Sequence, residues 1–165
     1  MIKVRTANSL DAASMARILN AIIEKGGTTA FTHRVTDETI IEWMCQNHEQ
    51  ASWQVALNND DAVVGFQWVK PAHYLPDEAV DIATFVQTGQ TGLGIGSLLF
   101  KVTQTAAKAI GYKWINANIR ADNKGGLIYY KSLGFVEYEQ IQAATLENGQ
   151  VLSLIHISEP TRRTP

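Results

Sequence analysis

Apolar and polar residues alternate along three short segments of this chain in the way that half-buried β-strands require. These segments are residues 2–6, 53–57 and 64–68, and apolar or β-branched side chains occupy every second position in each of them. The last two segments flank the polar stretch 58–61, Asn-Asn-Asp-Asp, which favours a tight turn. The pattern therefore predicts an N-terminal strand and, later in the chain, a β-hairpin.

Helical periodicity marks two segments between the first strand and the hairpin. Five apolar residues of the first helix recur at i, i+3, i+4, i+7 and i+8: Met15, Ile18, Leu19, Ile22 and Ile23. Side chains in residues 8–11, Asn-Ser-Leu-Asp, can cap the start of this helix, and Gly26-Gly27 stops it. Thr36 caps a second helix that turns Ile40, Trp43 and Met44 inward.

Strands and helices alternate in the second half of the chain. Apolar runs at 80–86, 114–119 and 135–142 predict strands, and helical patterns at 98–110 and 122–133 separate them. A helix lies between the first two of these strands, so we expect them to be parallel and joined by a right-handed crossover. The complete order is β-α-α-β-β-β-α-β-α-β, which predicts one α/β domain with a mixed sheet.

Residues 87–97, Gln-Thr-Gly-Gln-Thr-Gly-Leu-Gly-Ile-Gly-Ser, connect a predicted strand to a predicted helix. Glycine lacks the Cβ that prevents close approach of the backbone to a ligand. The start of a helix also presents unpaired N–H groups, which favour an anion such as phosphate. Glycines alone leave two interpretations open, an anion cradle and a flexible surface loop.

Composition narrows the class of protein. Hydrophobic residues make up 45% of the 165 residues and charged residues 18%, as in a globular domain. A formal net charge of −2 gives no electrostatic reason to expect binding to nucleic acid or to an anionic membrane. We find no membrane-spanning run and no signal peptide, and a cytoplasmic setting is expected. The single cysteine, Cys45, excludes an intramolecular disulfide, and its helical neighbours Trp43 and Met44 predict a buried thiol.

Two motifs at fixed spacing resemble the GNAT superfamily of N-acetyltransferases. The first is residues 91–96, Thr-Gly-Leu-Gly-Ile-Gly, and the second runs from Asn123 to Tyr-Lys-Ser-Leu-Gly-Phe at 130–135. Residues 26–31, Gly-Gly-Thr-Thr-Ala-Phe, are similar to the phosphinothricin and methionine-sulfone acetyltransferase branch. The resemblance implies an α/β GNAT fold, with a mixed, mostly antiparallel central sheet, a splayed parallel strand pair and helices on both faces. The strand before the glycine loop is expected to carry a bulge.

The same resemblance implies acetyl-CoA as the co-substrate, with no metal ion. Pyrophosphate would bind the loop, the pantetheine arm would pair with the strand before it, and Asn123 would bond that arm or simply cap its helix. The residues that would contact the cofactor are Thr84, Phe85, Val86, Thr91, Gly92, Leu93, Gly94, Ile95, Gly96, Ser97 and Asn123. Thr91 departs from the Arg or Gln of the family, so we expect a weaker pyrophosphate contact.

Two residues match the positions at which the family places its catalytic groups. Tyr130 would donate a proton to the departing thiolate, the alternative being a core aromatic residue. Asp81 stands where the branch has a glutamate and would accept the amine proton. Because Asp is one methylene shorter than Glu, the resemblance implies that this transfer passes through a water molecule. The alternative for Asp81 is an ion-paired or edge-exposed carboxylate. Phe31, His73 and Tyr74 are weaker candidates for substrate contact, His73 and Tyr74 also as alternative bases.

The resulting expectation is direct acetyl transfer from acetyl-CoA to the primary amine of a small, amino-acid-like molecule. A non-catalytic acyl-CoA-binding module, or an enzyme acting on a protein or aminoglycoside-type amine, stays open. A nucleotide-binding fold is disfavoured because no Gly-Lys-Ser/Thr follows the glycines. The branch also implies a homodimer.

The C-terminal segment calls for a separate interpretation. Residues 152–165, from Leu-Ser-Leu-Ile-His-Ile to the end, resemble the translation of a sequencing adapter. We therefore assign residues 1–151 to the acetyltransferase domain and interpret 152–165 as an artefactual tail that replaces the native C-terminal strand. Its apolar residues alternate, so it can still pair as a strand.

Overall fold

The computed structural model describes the backbone of residues 1–27, 29, 31–91, 93–145 and 151–158, and side chains as far as residue 138. The strands are β1 (Lys3–Thr6), β2 (Ser52–Leu57), β3 (Val63–Lys70), β4 (Ala79–Val86), β5 (Trp114–Arg120), β6 (Val136–Thr145) and β7 (Val151–Ser158). The helices are α1 (Ala12–Lys25), α2 (Asp37–Cys45), α3 (Ile95–Ile110) and α4 (Lys124–Ser132), and a 3₁₀ turn at Ser9–Asp11 precedes α1. The predicted order is confirmed, with β7 in addition.

The strands form one seven-stranded sheet in the order β1-β2-β3-β4-β5-β7-β6. Only β4 and β5 are parallel neighbours among the described strands. The predicted hairpin is β2–β3, in which Trp53 faces Trp68 and Val55 faces Phe66. The mixed, mostly antiparallel sheet is therefore confirmed.

Two helices cover each face of the sheet. The apolar stripe of α1 packs with Ile40 of α2 on Trp53, Phe66, Trp68 and Phe85. The other face packs residues of α3 and α4, including Phe100 and Tyr130, on Val80, Ile82, Ile115 and Ala117. Because side chains of a strand alternate between faces, Asp81, Ala83 and Phe85 lie on the α1/α2 face, whereas Ile82 and Thr84 lie on the α3/α4 face.

The parallel pair separates along its length. β4 pairs with β5 only from Ala79 to Ile82, opposite Trp114 to Ala117. Beyond that point β5 continues beside β7, while β4 continues beside β3. The opening between 83–86 of β4 and 118–120 of β5 is called the β4–β5 gap below. The expected splay is confirmed.

The expected bulge in the strand before the loop is wrong for the described strands. The β3–β4 register runs without interruption from Gly65 opposite Val86 to Lys70 opposite Asp81. The separation instead arises where β5 leaves β4 and follows β7. A divergent neighbour can therefore open the sheet without an extra residue in β4.

The expected burial of Cys45 is also wrong, since its side chain is exposed. The inward stripe of α2 consists of Ile40, Trp43 and Met44. Successive helical residues point about 100° apart, so the residue after Met44 turns away from that stripe. Among the described residues, no helix has the length and apolar composition that crossing a bilayer requires.

The C-terminal segment contributes an interior strand. β7 lies between β5 and β6 and pairs with both. A segment of any origin can pair as a strand through its backbone, so the pairing of β7 does not test whether residues 152–165 derive from an adapter. That assignment stays a prediction. Residues 159–165 lie outside the described residues.

Candidate active site

The glycine loop ends at an uncapped helix start. Gly94 precedes α3 with φ +79°, a left-handed conformation that favours glycine, and no side chain caps this end. The first amides of a helix, here those of Ile95, Gly96 and Ser97, have no partner within the helix. A helix start of this kind can bind an anion, and the predicted pyrophosphate contact with these amides stays a prediction. Gly92 lies outside the described residues.

The side chains of the loop point in different directions. Leu93 is 63% exposed, and Thr91 and Ser97 are exposed as well. Ile95 is buried against β3, so only its backbone can reach a ligand. The loop thus presents mainly backbone donors.

Gly96 is required by its neighbour on α4. A Cβ built at Gly96 would lie 2.7 Å from Cε1 of Tyr129. The Tyr129 hydroxyl donates to the Gly96 carbonyl at 2.7 Å. Close approach of the ring to the backbone therefore holds the first turn of α3 against α4.

The backbone of β4 faces the β4–β5 gap at alternate residues. The Gln87 amide donates to the Val64 carbonyl. In an antiparallel ladder only every second residue bonds to a given neighbour, so this bond shows which residues of β4 bond to β3. By that alternation Phe85 bonds to β3, whereas Thr84 and Val86 direct their N–H and C=O groups toward the gap. An extended amide-containing ligand could pair there as an added strand.

Asn123 caps α4, as one of its two interpretations predicted. Its side-chain oxygen accepts from the Gly126 amide at 2.9 Å. The cap places the start of α4 directly after β5, which ends at Arg120. A contact between Asn123 and the pantetheine arm stays a prediction.

Asp81 lies in a polar cluster on the α1/α2 face. Asn116, opposite it on β5, donates to its Oδ1 at 2.9 Å. The Tyr74 hydroxyl also hydrogen-bonds to this carboxylate. Burial raises the pKa of Asp81 to about 6, although these two hydrogen bonds and the charge of Lys70 lower it. A carboxylate with such a pKa is ionised at neutral pH and basic enough to accept a proton.

The partners of Asp81 are themselves held in place. The Tyr138 hydroxyl donates to Oδ1 of Asn116, which directs the Asn116 amide hydrogens to Asp81. Burial raises the pKa of Tyr74 far above its ordinary value, so the hydroxyl stays protonated as a donor. His73 is exposed and packs edge-on against Tyr74, at 5.5 Å between ring centroids.

Tyr130 lies on the opposite face of the sheet. Its side chain is 4% exposed, and its hydroxyl is 2.7 Å from Oγ1 of Thr84, beside the β4–β5 gap. Burial raises its pKa far above the ordinary value, so the phenol is protonated at neutral pH. The residue is thus both a core aromatic and a candidate acid.

An aromatic cluster borders Asp81 on the α1/α2 face. Phe31 stacks on Trp43 at 5.3 Å and also contacts Trp68, at 6.4 Å between centroids. Lys70 places its Nζ 4.6 Å from the Trp68 ring and 5.3 Å from the Trp43 ring. We call Phe31, Trp43, Trp68 and Lys70 the aromatic–lysine cluster.

A buried arginine connects the gap to the loop that leads to Phe31. Arg120, the last residue of β5, donates to the Thr29 carbonyl at 3.0 Å and to both oxygens of Asp122. The guanidinium is thereby satisfied by three acceptors although its side chain is only 7% exposed. It fixes the approach of the α1–α2 loop to the sheet.

Sequence reasoning did not find several residues of this site. Gln67 and Asn116 are polar residues inside otherwise apolar strands, and Lys70 is the charged residue at the end of β3; these polar positions are the signal that could have identified them. Trp43 and Trp68 were assigned to the core, where they also lie. The predicted Asp81 and Tyr130 lie on opposite faces of the sheet: Tyr130 is beside the β4–β5 gap through Thr84, and Asp81 is in the paired part of β4, two residues before the gap begins.

Comparison with known proteins shows which family the chain matches. Residues 16–135 match the acetyltransferase (GNAT) family. The chain is 25% identical over 150 residues to phosphinothricin N-acetyltransferase of Streptomyces viridochromogenes, covering 90% of this chain and 81% of that protein.

Two solved structures show the same fold at low sequence identity. A GNAT superfamily phosphinothricin acetyltransferase from Sinorhizobium meliloti, in complex with acetyl-CoA, is 19% identical with a TM-score of 0.85, over 96% of this chain and 88% of that one. Ribosomal-protein-alanine N-acetyltransferase from Brucella melitensis is 21% identical with a TM-score of 0.85, over 95% and 98%. These two relatives have different acceptors in their names, so the fold alone does not specify the acceptor.

Proposed function

Because the chain belongs to the acetyltransferase (GNAT) family, we propose that it transfers the acetyl group of acetyl-CoA directly to the primary amine of a small, amino-acid-like molecule. The observation that carries the proposal is the arrangement of Asp81 and Tyr130 on opposite faces of the sheet, with Tyr130 beside the β4–β5 gap and Asp81 in the last paired residues of β4 before it. One can accept a proton at neutral pH and the other can donate one.

The glycine loop and the gap accommodate the cofactor in this proposal. The pyrophosphate binds the free amides of 95–97 at the start of α3. The pantetheine amides pair with the backbone of Thr84 and Val86, which faces the gap. The thioester then lies between the two faces of the sheet.

Asp81 acts as the base. An ammonium ion cannot attack the thioester, so the acceptor must lose a proton before or during attack. The Asp81 carboxylate takes that proton, directly or through one water molecule. Asn116 and Tyr74 hold the carboxylate in place through hydrogen bonds that keep it ionised at neutral pH.

Lys70 supports an acceptor that carries an anionic group. Its ammonium lies over two tryptophan rings, and no described residue accepts a hydrogen bond from it. Lys70 is directly opposite Asp81 in the β3–β4 register. An amino acid has a matching charge pair, with its amine toward Asp81, its carboxylate toward Lys70 and its side chain toward Phe31.

The experiment is a coenzyme A release assay with matched amines. Free amino acids are compared with the primary amines that lack only the carboxylate, for example phenylalanine with phenethylamine. We expect turnover of at least one amino acid and poor turnover of its decarboxylated partner. Turnover of peptide or aminoglycoside amines alone would contradict the small acceptor, and acetyl-CoA binding without any turnover would indicate a non-catalytic module.

A charge-removing variant tests the role of Lys70. Lys70→Met keeps an unbranched chain but removes the ammonium, and we expect KM for the amino acid to rise about tenfold or more, the value of a charge-assisted hydrogen bond. KM for the decarboxylated amine should not change. The control Lys108→Met lies at the far end of α3 and should match wild type. An equal rise in KM for the amino acid and for the decarboxylated amine would contradict the proposed contact between Lys70 and the carboxylate.

The homodimer and the cytoplasmic setting stay predictions drawn from the resemblance. Light scattering of the purified chain at micromolar concentration tests the first, and a monomeric mass would contradict it.

A further inference from the structure

A chain of hydrogen bonds connects the start of α3 to Tyr130. The Tyr129 hydroxyl donates to the Gly96 carbonyl at 2.7 Å. The Gln67 amide nitrogen lies 3.1 Å from the Tyr129 hydroxyl and 2.8 Å from Oγ1 of Thr84. Thr84 then contacts the Tyr130 hydroxyl at 2.7 Å. The network therefore joins the proposed phosphate end to the proposed acid.

Chemistry fixes the direction of most of these bonds. The Gly96 carbonyl can only accept, so Tyr129 uses its single hydrogen there and must accept from its other neighbour. Gln67 therefore directs its NH₂ group, and not its oxygen, toward Tyr129 and Thr84. Thr84 accepts from Gln67, which leaves the Thr84 hydrogen free to point at Tyr130.

One hydroxyl hydrogen in this network has no acceptor within the described part of the chain. Gln67 brings two hydrogens and the three hydroxyls bring one each, whereas the network holds four hydrogen bonds. The surplus hydrogen belongs to Thr84 or to Tyr130, because their mutual bond can run either way. If an acceptor lies in the β4–β5 gap beside Tyr130, the Tyr130 hydroxyl donates to that acceptor, and Thr84 is then the donor in the bond between Thr84 and Tyr130.

Gln67 lowers the stability of the folded state compared with an apolar residue at the same position. Its side chain is fully buried, and its Oε1 has no hydrogen-bond partner among the residues that the structure describes. A buried carbonyl without a partner destabilises the fold, and an apolar side chain would avoid that penalty. The hydrogen bonds donated by Gln67 therefore point to a role other than stability.

We propose that Gln67 and Thr84 are positioning residues that direct the Tyr130 proton into the β4–β5 gap and stabilise the tyrosinate that forms. This inference rests on the proposed function and adds two residues to it. Gln67 orients the Thr84 hydroxyl, and Thr84 donates to the Tyr130 oxygen.

During acetyl transfer one bond forms, one bond breaks and the protons move between nitrogen, sulfur and the two side chains. The amine nitrogen bonds to the acetyl carbon, the carbon–sulfur bond breaks, and its electron pair passes to sulfur. Tyr130 gives its proton to that thiolate, and the Thr84 hydroxyl donates to the resulting phenolate oxygen. Asp81 passes the first proton, taken from the ammonium, to solvent before attack, and it then accepts the second N–H proton, which the nitrogen loses on acylation. Exchange with solvent reprotonates Tyr130 and deprotonates Asp81 before the next turnover.

The test compares hydroxyl removal at the partly buried Thr84 and at the buried Thr103. Thr84→Val keeps the shape and removes the hydroxyl, and we expect kcat to fall about tenfold, the effect of one lost hydrogen bond. Thr84→Ser restores the hydroxyl and should recover most of that loss. Thr103→Val is the matched control and should keep the wild-type rate, since the Thr103 hydroxyl is buried and no described residue bonds to it. All three variants should bind acetyl-CoA with the wild-type Kd.

A double-mutant cycle separates positioning from a general structural effect. If Thr84 acts through Tyr130, Thr84→Val should cost nothing further in a Tyr130→Phe background. Gln67→Leu should likewise lower kcat in wild type but not in that background, and it provides a second measurement if Thr84→Val unfolds.

Three results would overturn the inference. They are a wild-type rate for Thr84→Val, losses that add to that of Tyr130→Phe, or a loss that Thr84→Ser does not recover. Failure of the proposed function is distinct, because wild type would then release no coenzyme A with any amine, and the inference would fall with it.

Discussion

Substitution of Asp81 by Asn should remove activity and yet stabilise the fold. The substitution replaces a partly buried carboxylate with a neutral group that can still accept from Asn116. Burial raises the pKa of Asp81 from 3.8 to about 6. At roughly 1.4 kcal/mol per pKa unit, ionised Asp81 costs the folded state about 3 kcal/mol as an upper value.

The sign of the effect sets its pH window. A carboxyl group whose pKa is raised by folding binds its proton more tightly in the folded state than in the unfolded state. The penalty of Asp81 is therefore complete above pH 6 and shrinks as the pH falls toward 3.8. Asp81→Asn should gain on the order of 5 °C in melting temperature at pH 8. The gain should be nearly gone at pH 4.

Thermal unfolding of both proteins at pH 8, 6 and 4 measures this difference. Asp60→Asn, in the exposed turn of the hairpin, is the control and should shift the melting temperature little at any pH. An Asp81→Asn protein that is less stable at pH 8, or a difference that does not change with pH, would refute the reasoning.

Three further predictions concern the reaction and the loop. In wild type, kcat/KM should fall about tenfold per pH unit below roughly pH 6 as Asp81 becomes protonated; a rate that holds down to pH 5 would contradict this. Tyr130→Phe should lower kcat about a hundredfold with an unchanged Kd for acetyl-CoA, and equal kcat in a coenzyme A release assay would exclude the acid role. Gly96→Ala should weaken acetyl-CoA binding, measured by calorimetry, because the added Cβ would lie 2.7 Å from the Tyr129 ring. Gly125→Ala, whose Cβ meets nothing closer than 3.9 Å, should keep the wild-type affinity and not share that loss.

Local pattern was sufficient for the elements that have a clear period or a clear stop. The alternation of Trp53, Val55 and Leu57 identified β2, and the i, i+3, i+4 stripe identified α1. Glycines around α3 marked its start and its end at Gly111. These features depend on neighbours within a few residues, which the sequence displays directly.

Long-range partners were not visible in the same way. Gln67 meets Tyr129 across 62 residues, and Arg120 meets Thr29 across 91. Nothing local marks Lys70 as the residue opposite Asp81, because the β3–β4 register is set by the whole sheet. The motif resemblance supplied Asp81 and Tyr130, but not the residues that hold them or the face on which each lies.

A crystal structure with acetyl-CoA bound tests the central claim most directly. The account predicts that the thioester lies in the β4–β5 gap, with its sulfur within about 4 Å of the Tyr130 hydroxyl. Its carbonyl carbon should be open to the α1/α2 face, where Asp81 and Lys70 lie. A thioester placed outside the gap, or a sulfur remote from Tyr130, would contradict the account.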